Sequence, residues 1–162
     1  GQEYLQNVLD TAKQLDAYDS GRIYYYLGEY QKAYLALDEA RDKGGADSYL
    51  YLGRAYAATG DYNYASSVYN NYLSKQGPNA EIYNELGLCE MAKKEYQNAL
   101  AAFQAGKQIE GNSLMQTLCF NEIVAYEYLE DYQQAEVLMN AYLQNYPDDQ
   151  TAIREQQFLS TR

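Results

Sequence analysis

A six-residue signature, Gly28-Glu29-Tyr30-Gln31-Lys32-Ala33, has three further copies in this chain and constrains its fold more than any other feature. Gly60-Asp61-Tyr62-Asn63-Tyr64-Ala65 follows 32 residues later, Lys94-Glu95-Tyr96-Gln97-Asn98-Ala99 a further 34, and Glu130-Asp131-Tyr132-Gln133-Gln134-Ala135 a further 36. Self-similarity at such a period belongs to stacked supersecondary units, each of which buries its apolar face only against a neighbour.

Apolar residues stepping by three and four place helices on either side of each copy. A leading helix is expected over 2–13, with Tyr4, Leu5, Val8, Leu9 and Ala12 on one face; whether it belongs to a truncated repeat is left open. Four helix pairs are expected over 14–45, 46–79, 80–113 and 114–147, within a single domain spanning 1–162. In the first pair, Ala17, Gly21, Tyr24 and Leu27 share a helix that stops at Gly28, and Ala33, Leu37 and Ala40 share one that Gly44-Gly45 closes. A connection of about three residues makes the two antiparallel. A capping helix is expected over 148–162, started by Asp148 or Asp149, with Ile153, Phe158 and Leu159 inward and Arg154, Glu155, Gln156 and Gln157 outward.

Four columns recur around the anchor tyrosines Tyr30, Tyr62, Tyr96 and Tyr132. Glycine stands nine residues before (Gly21, Gly53, Gly87), tyrosine six before (Tyr24, Tyr56, Tyr126), alanine three after (Ala33, Ala65, Ala99, Ala135) and a bulky residue seven after (Leu37, Tyr69, Phe103, Met139). At these residues, over about 14–147, the sequence resembles the tetratricopeptide repeat family. The resemblance implies an all-α, right-handed α-solenoid of antiparallel helix pairs. Small residues in two columns let helices approach and bulky ones fill the gap beside them. Ile123 in the glycine column and Glu90 in the tyrosine column depart from the pattern, so altered crossings are expected there.

Composition narrows the function. A net charge of −11 with only 12 Lys and Arg argues against a phosphate backbone as ligand. No apolar run reaches the roughly 18 residues of a spanning helix, so this segment is not expected to insert into a membrane. The chain has no His, no glycine-rich phosphate loop and no zinc-ligand spacing, so neither catalysis nor a metal or other cofactor is expected. Cys89 and Cys119 read as two small buried residues, with a disulfide between adjacent repeats as the alternative. The start at Gly1 suggests a processed or truncated product, which leaves an exported, lipoprotein-like parent and a cytoplasmic one both open.

The resemblance further implies a protein or peptide ligand held on the concave face, which the first helix of each repeat lines. Positions 15, 12, 8 and 5 before each anchor form that stripe: Leu15, Tyr18, Arg22 and Tyr25; Asp47, Leu50, Arg54 and Ala57; Glu81, Asn84, Leu88 and Met91; Thr117, Phe120, Val124 and Glu127. Arg22 and Arg54 fall in one column beside Tyr18, Tyr25 and Tyr51, an arrangement suited to a ligand carboxylate unless Asp19, Asp47 or Glu81 neutralises them. Leu88, Met91, Phe120 and Val124 make the later part apolar. The Lys, Asn and Arg clamp of the family's chaperone-binding members is not reproduced: its places hold Tyr18, Arg22, Tyr51, Glu81 and Glu85, or, one repeat on, Leu50, Arg54, Glu85, Thr117 and Asn121. An architectural or self-associating segment is the alternative reading, with a homo-oligomer as its consequence.

Overall fold

Each signature copy is a turn between two helices, and the backbone shows why it recurs. The computed structural model describes residues 1–11, 15–42 and 47–162, the side chain of Asp42 excepted. The expected roles of Ala12 and of Gly44-Gly45 lie outside the described residues. Among the described residues the chain is all-α, with the helix pairs of an α-solenoid: α1 (Gln2–Thr11), α2 (Ala17–Leu27), α3 (Tyr30–Asp42), α4 (Ser48–Ala58), α5 (Tyr62–Gln76), α6 (Ala80–Ala92), α7 (Tyr96–Lys107), α8 (Met115–Tyr128), α9 (Tyr132–Asn145) and α10 (Gln150–Leu159). They form two compact units, Gly1–Gly77 and Pro78–Arg162.

At every signature the residue before the anchor donates its N–H to the carbonyl five residues back: Glu29 to Tyr24, Asp61 to Tyr56, Glu95 to Glu90 and Asp131 to Tyr126, all within 2.9–3.0 Å. This closure needs a left-handed residue just after the helix. Gly28 and Gly60 supply it with φ of 78° and 84°, but Lys94 and Glu130 adopt φ of 64° and 61°. Such a conformation costs an L-residue roughly 1–2 kcal/mol. Glycine removes that strain and adds some unfolded-state entropy, so Lys94→Gly and Glu130→Gly are each expected to stabilise the chain by about 1 kcal/mol. Urea denaturation would show a higher midpoint at unchanged slope. A lower midpoint in both variants would refute strain at these turns.

In the N-terminal unit α2 pairs with α3 and α4 with α5, and α1 lies against α2. Its core combines Ala33, Leu37, Tyr49, Leu52, Ala55 and Val68 with half-buried tyrosines packed on them. Stacking absorbs much of that aromatic surface: Tyr34 and Tyr56 are parallel with centroids 4.2 Å apart, and Tyr64 tilts against Tyr56 at 4.3 Å. The Tyr34 hydroxyl meets Thr59 Oγ1 at 2.6 Å, which satisfies a polar tip that burial would otherwise penalise. Burial pushes the Tyr56 phenol up to about 12.

The C-terminal unit pairs α6 with α7 and α8 with α9, and α10 closes it against α9. Phe103 fills the space over Gly87, and Leu118 packs on Ala99 and Leu100. At the departure in the fourth repeat, Ile123 and Met139 are both fully enclosed. Bulk has moved from one column to the other, with an unbranched methionine accommodating the isoleucine. Glu90, the other departure, is buried and held by Lys93 Nζ at 2.7 Å.

Several expectations need correction. α2 begins at Ala17, where the Asp16 carboxylate accepts the Asp19 N–H at 2.7 Å and caps it. Tyr4, expected on the packed face of α1, is 71% exposed, and α1 buries no residue fully. Phe158 does not turn inward: Ala152 and Leu159, seven residues apart, form the seam of α10 and leave Phe158 round the side, 39% exposed. For the same reason Glu155 and Gln156 are half-buried, not outward. Gln156 Nε2 donates to Asn140 Oδ1 at 3.2 Å.

Candidate functional site

The first helix of each pair carries the candidate side chains because its other face is committed to the columns above. In the N-terminal unit α2 and α4 bring Tyr18, Arg22, Tyr25, Tyr51 and Arg54 together. The Arg22 guanidinium lies 5.2 Å from the Tyr18 ring centroid and 5.1 Å from that of Tyr51, and the Arg54 guanidinium 5.7 Å from Tyr51. Tyr51 also meets Tyr18 and Tyr25 edge-on at 6.1 and 5.7 Å. Leu50 is half-buried beside this group in sequence.

Arg22 is only loosely paired within the cluster. The Asp19 carboxylate reaches Arg22 at only 3.9 Å, both side chains well exposed, and such pairs contribute little. Arg22 Nε is screened from solvent yet has no hydrogen-bond partner. Burial opposes the guanidinium charge, but the phenols of Tyr18 and Tyr51 outweigh it and hold the Arg22 pKa above its ordinary value. The Tyr18 phenol is itself raised by burial, against the pull of Arg22.

Tyr26 was missed by sequence reasoning. Its hydroxyl shares a 3.0 Å hydrogen bond with that of Tyr51, which raises its pKa, and its ring packs at 5.3 Å on Tyr25 and 5.9 Å on Tyr51. The run Tyr24-Tyr25-Tyr26 was the available signal, since a neighbour one step round the helix widens the aromatic face.

In the C-terminal unit the expected residues diverge. Leu88 is 43% exposed, and Met91, Phe120 and Val124 are half-buried. Asn84 is buried and accepts a hydrogen bond from Asn121 Nδ2 at 2.8 Å, tying α6 to α8. It is therefore a clasp within the scaffold and not an open groove contact. Phe120 meets Tyr142 edge-on at 5.8 Å and lines a cavity of about 290 Å3 with Gln116, Thr117, Asn121 and Asp149. Along that cavity Gln116 Nε2 donates to the Tyr142 hydroxyl at 3.1 Å, which donates to Asp149 Oδ2 at 2.6 Å. Burial, then the Asp149 bond, pushes the Tyr142 phenol up to about 12, while that bond and the amides of Ala152 and Thr151 lower the Asp149 pKa.

Cys89 is buried and Cys119 half-buried, both as free thiols. Among the described residues no group of three or more His, Cys, Asp or Glu side chains is arranged to hold a metal ion, and no helix is long and apolar enough to cross a membrane.

The repeat geometry and its columns match known proteins. Tetratricopeptide repeat models match residues 18–63 and 52–112, and a second such model matches 120–149. The chain belongs to the tetratricopeptide repeat family. No curated protein matches it in sequence. Among solved structures it is similar to MamA AMB-1, with 23% identity, TM-score 0.71, and coverage of 88% of this chain and 78% of that one. A MamA RS-1 double mutant gives 18% identity and TM-score 0.77, covering 99% and 84%. The second tetratricopeptide repeat domain of human RPAP3, solved in complex with the HSP70 peptide SGPTIEEVD, gives 16% identity and TM-score 0.60, covering 68% and 90%. At these identities the likeness is one of fold.

Proposed function

We propose that this tetratricopeptide repeat chain is a non-catalytic scaffold that binds a peptide or partner segment through the first helices of its repeats. The observation that carries the reading is Arg22, whose guanidinium rests on Tyr18 and Tyr51 with a buried Nε that no protein group satisfies. A ligand carboxylate supplies the missing acceptor, and the Arg54 guanidinium lies near the same Tyr51 ring. Within the C-terminal unit, taken by itself, Leu88, Met91, Phe120 and Val124 offer apolar contact to a partner segment. The RPAP3 complex supports a peptide as the ligand class for this fold.

Binding of a pool of peptides with free C-terminal carboxylates, measured beside the same pool amidated, tests this. The free acids are expected to be retained at least tenfold better, and Arg22→Glu/Arg54→Glu to abolish the preference, since each charge-assisted hydrogen bond contributes about 1.5–3 kcal/mol. Equal retention of acids and amides, or of wild type and the double variant, sinks the carboxylate site. The second reading, a self-associating segment, draws on the exposed Tyr4 of α1. Sedimentation showing a dimer that Tyr4→Glu dissolves would favour it.

A further inference from the structure

The turn between α8 and α9 and the near side of α10 border an open, shallow cup of about 400 Å3 lined by Glu127, Tyr128, Glu130, Tyr132, Glu155 and Phe158. Its walls combine two properties that recognise a planar cation. Tyr128 is 58% exposed and Phe158 39% exposed, large apolar faces left open beside three carboxylates. Glu127 is half-buried next to Glu155, and its Oε1 is shut away from solvent with no hydrogen-bond partner. The two carboxyls lie side by side and hydrogen-bond to one another, so they share a proton unless a cationic donor replaces it.

A guanidinium already tests the aromatic wall. That of Arg162 lies 4.4 Å from the Phe158 centroid and 5.7 Å from that of Tyr132, yet among the described residues it forms no ion pair with either carboxyl. The rings accept a cation that leaves both carboxyls unpaired with it.

We propose that this cup binds an arginine side chain presented by a partner protein, the guanidinium stacking on Tyr132 and Phe158 and its N–H groups bridging Glu127 and Glu155. Arginine suits the site better than lysine because its flat, forked donor set serves rings and carboxylates together. The site is separate from the carboxylate-binding cluster of the N-terminal unit and stands whether or not that reading holds. Binding is linked to protons. Burial, then the charge of Glu155 and a hydrogen bond to it, pushes the Glu127 carboxyl up to about 7, so near neutrality the free pair retains a shared proton that the guanidinium expels. Glu155 on α10 is the charged group acting on this carboxyl; Phe158 on α10, Tyr128 on α8, Tyr132 on α9 and Glu130 in the turn line the same cup, and Arg162 lies over the Phe158 ring. Affinity therefore rises with pH between 6 and 8.

The test is an NMR titration of the intact chain with the peptide Ac-Ala-Ala-Arg-Ala-Ala-NH2, set against its neutral citrulline counterpart. Saturable shifts of the Tyr128, Tyr132 and Phe158 ring signals are expected with the arginine peptide alone, at least threefold tighter at pH 8 than at pH 6. Arg162→Ala is expected to tighten binding at least twofold by removing an internal competitor. Glu127→Gln/Glu155→Gln should weaken it at least tenfold and flatten the pH dependence; this variant relieves a repulsion, so the fold is retained. Glu155→Lys, which supplies a cation from within, should abolish binding as an independent check. Unsaturated shifts spread over the acidic surface, an equal response to citrulline, or undiminished binding by the double variant would overturn the proposal.

Discussion

Gly87→Ala is expected to destabilise the chain by about 3 kcal/mol, a large effect for one methyl group. A Cβ at that position would lie 2.3 Å from Phe103 Cε1, 2.6 Å from Cδ1 and 2.7 Å from Cζ. Phe103 is fully enclosed, so its ring has no solvent space to swing into, and α6 must move off α7 instead. Chemical denaturation would show the loss, and a double-mutant cycle would locate its cause. Phe103→Leu alone leaves a cavity, but combined with Gly87→Ala it makes room for the new methyl, so the pair should cost at least 1 kcal/mol less than the sum of the two. Simple additivity, or a loss below 1 kcal/mol for Gly87→Ala, would show that the two columns do not meet as described.

Lys107→Met should cost a similar amount, about 3 kcal/mol, by a different route. Glu122 is almost fully buried, with one carboxylate oxygen on Lys107 Nζ and the other accepting from Gln104 Nε2 at 2.9 Å. Burial disfavours the Lys107 charge, but the Glu122 hydrogen bond and charge outweigh it and raise the lysine pKa. Removing the lysine leaves a buried carboxylate with one neutral donor, the costly way to break such a pair. Removing both partners, as in Lys107→Met/Glu122→Leu, should restore stability to within about 1 kcal/mol of wild type, because the desolvation penalty goes with the interaction. A double variant as unstable as the single one would mean that α7 and α8 depend on the ion pair itself and not on relief of an orphaned charge.

These two sites mark how far the sequence reached. Gly87 and Phe103 were legible because the size of a residue in a fixed column encodes the distance between two helices, and the period repeats that code. Lys107 and Glu122 were not, since they stand 15 residues apart in different repeats and share no column. The candidate site divides the same way. Tyr18, Arg22, Tyr25 and Arg54 could be placed on the stripe, and Tyr51 near it, from spacing alone, but spacing did not show that Arg22 would lie on two rings with its Nε unsatisfied. Nor did it show that Asn84 would be consumed by Asn121.

The signature by itself determined the class of fold and the phase of the helix pairs, because those follow from local periodicity and turn chemistry. Even the substitution of Lys94 and Glu130 for glycine could be read there, although only the backbone revealed that both adopt the left-handed conformation. What tertiary structure alone decided is which polar and aromatic tips meet. The rotation of α10 that exposes Phe158 and sets Glu155 beside Glu127 depends on the seam between Ala152 and Leu159. Such a rotation is chosen by packing against another helix, and a single helix carries no record of it.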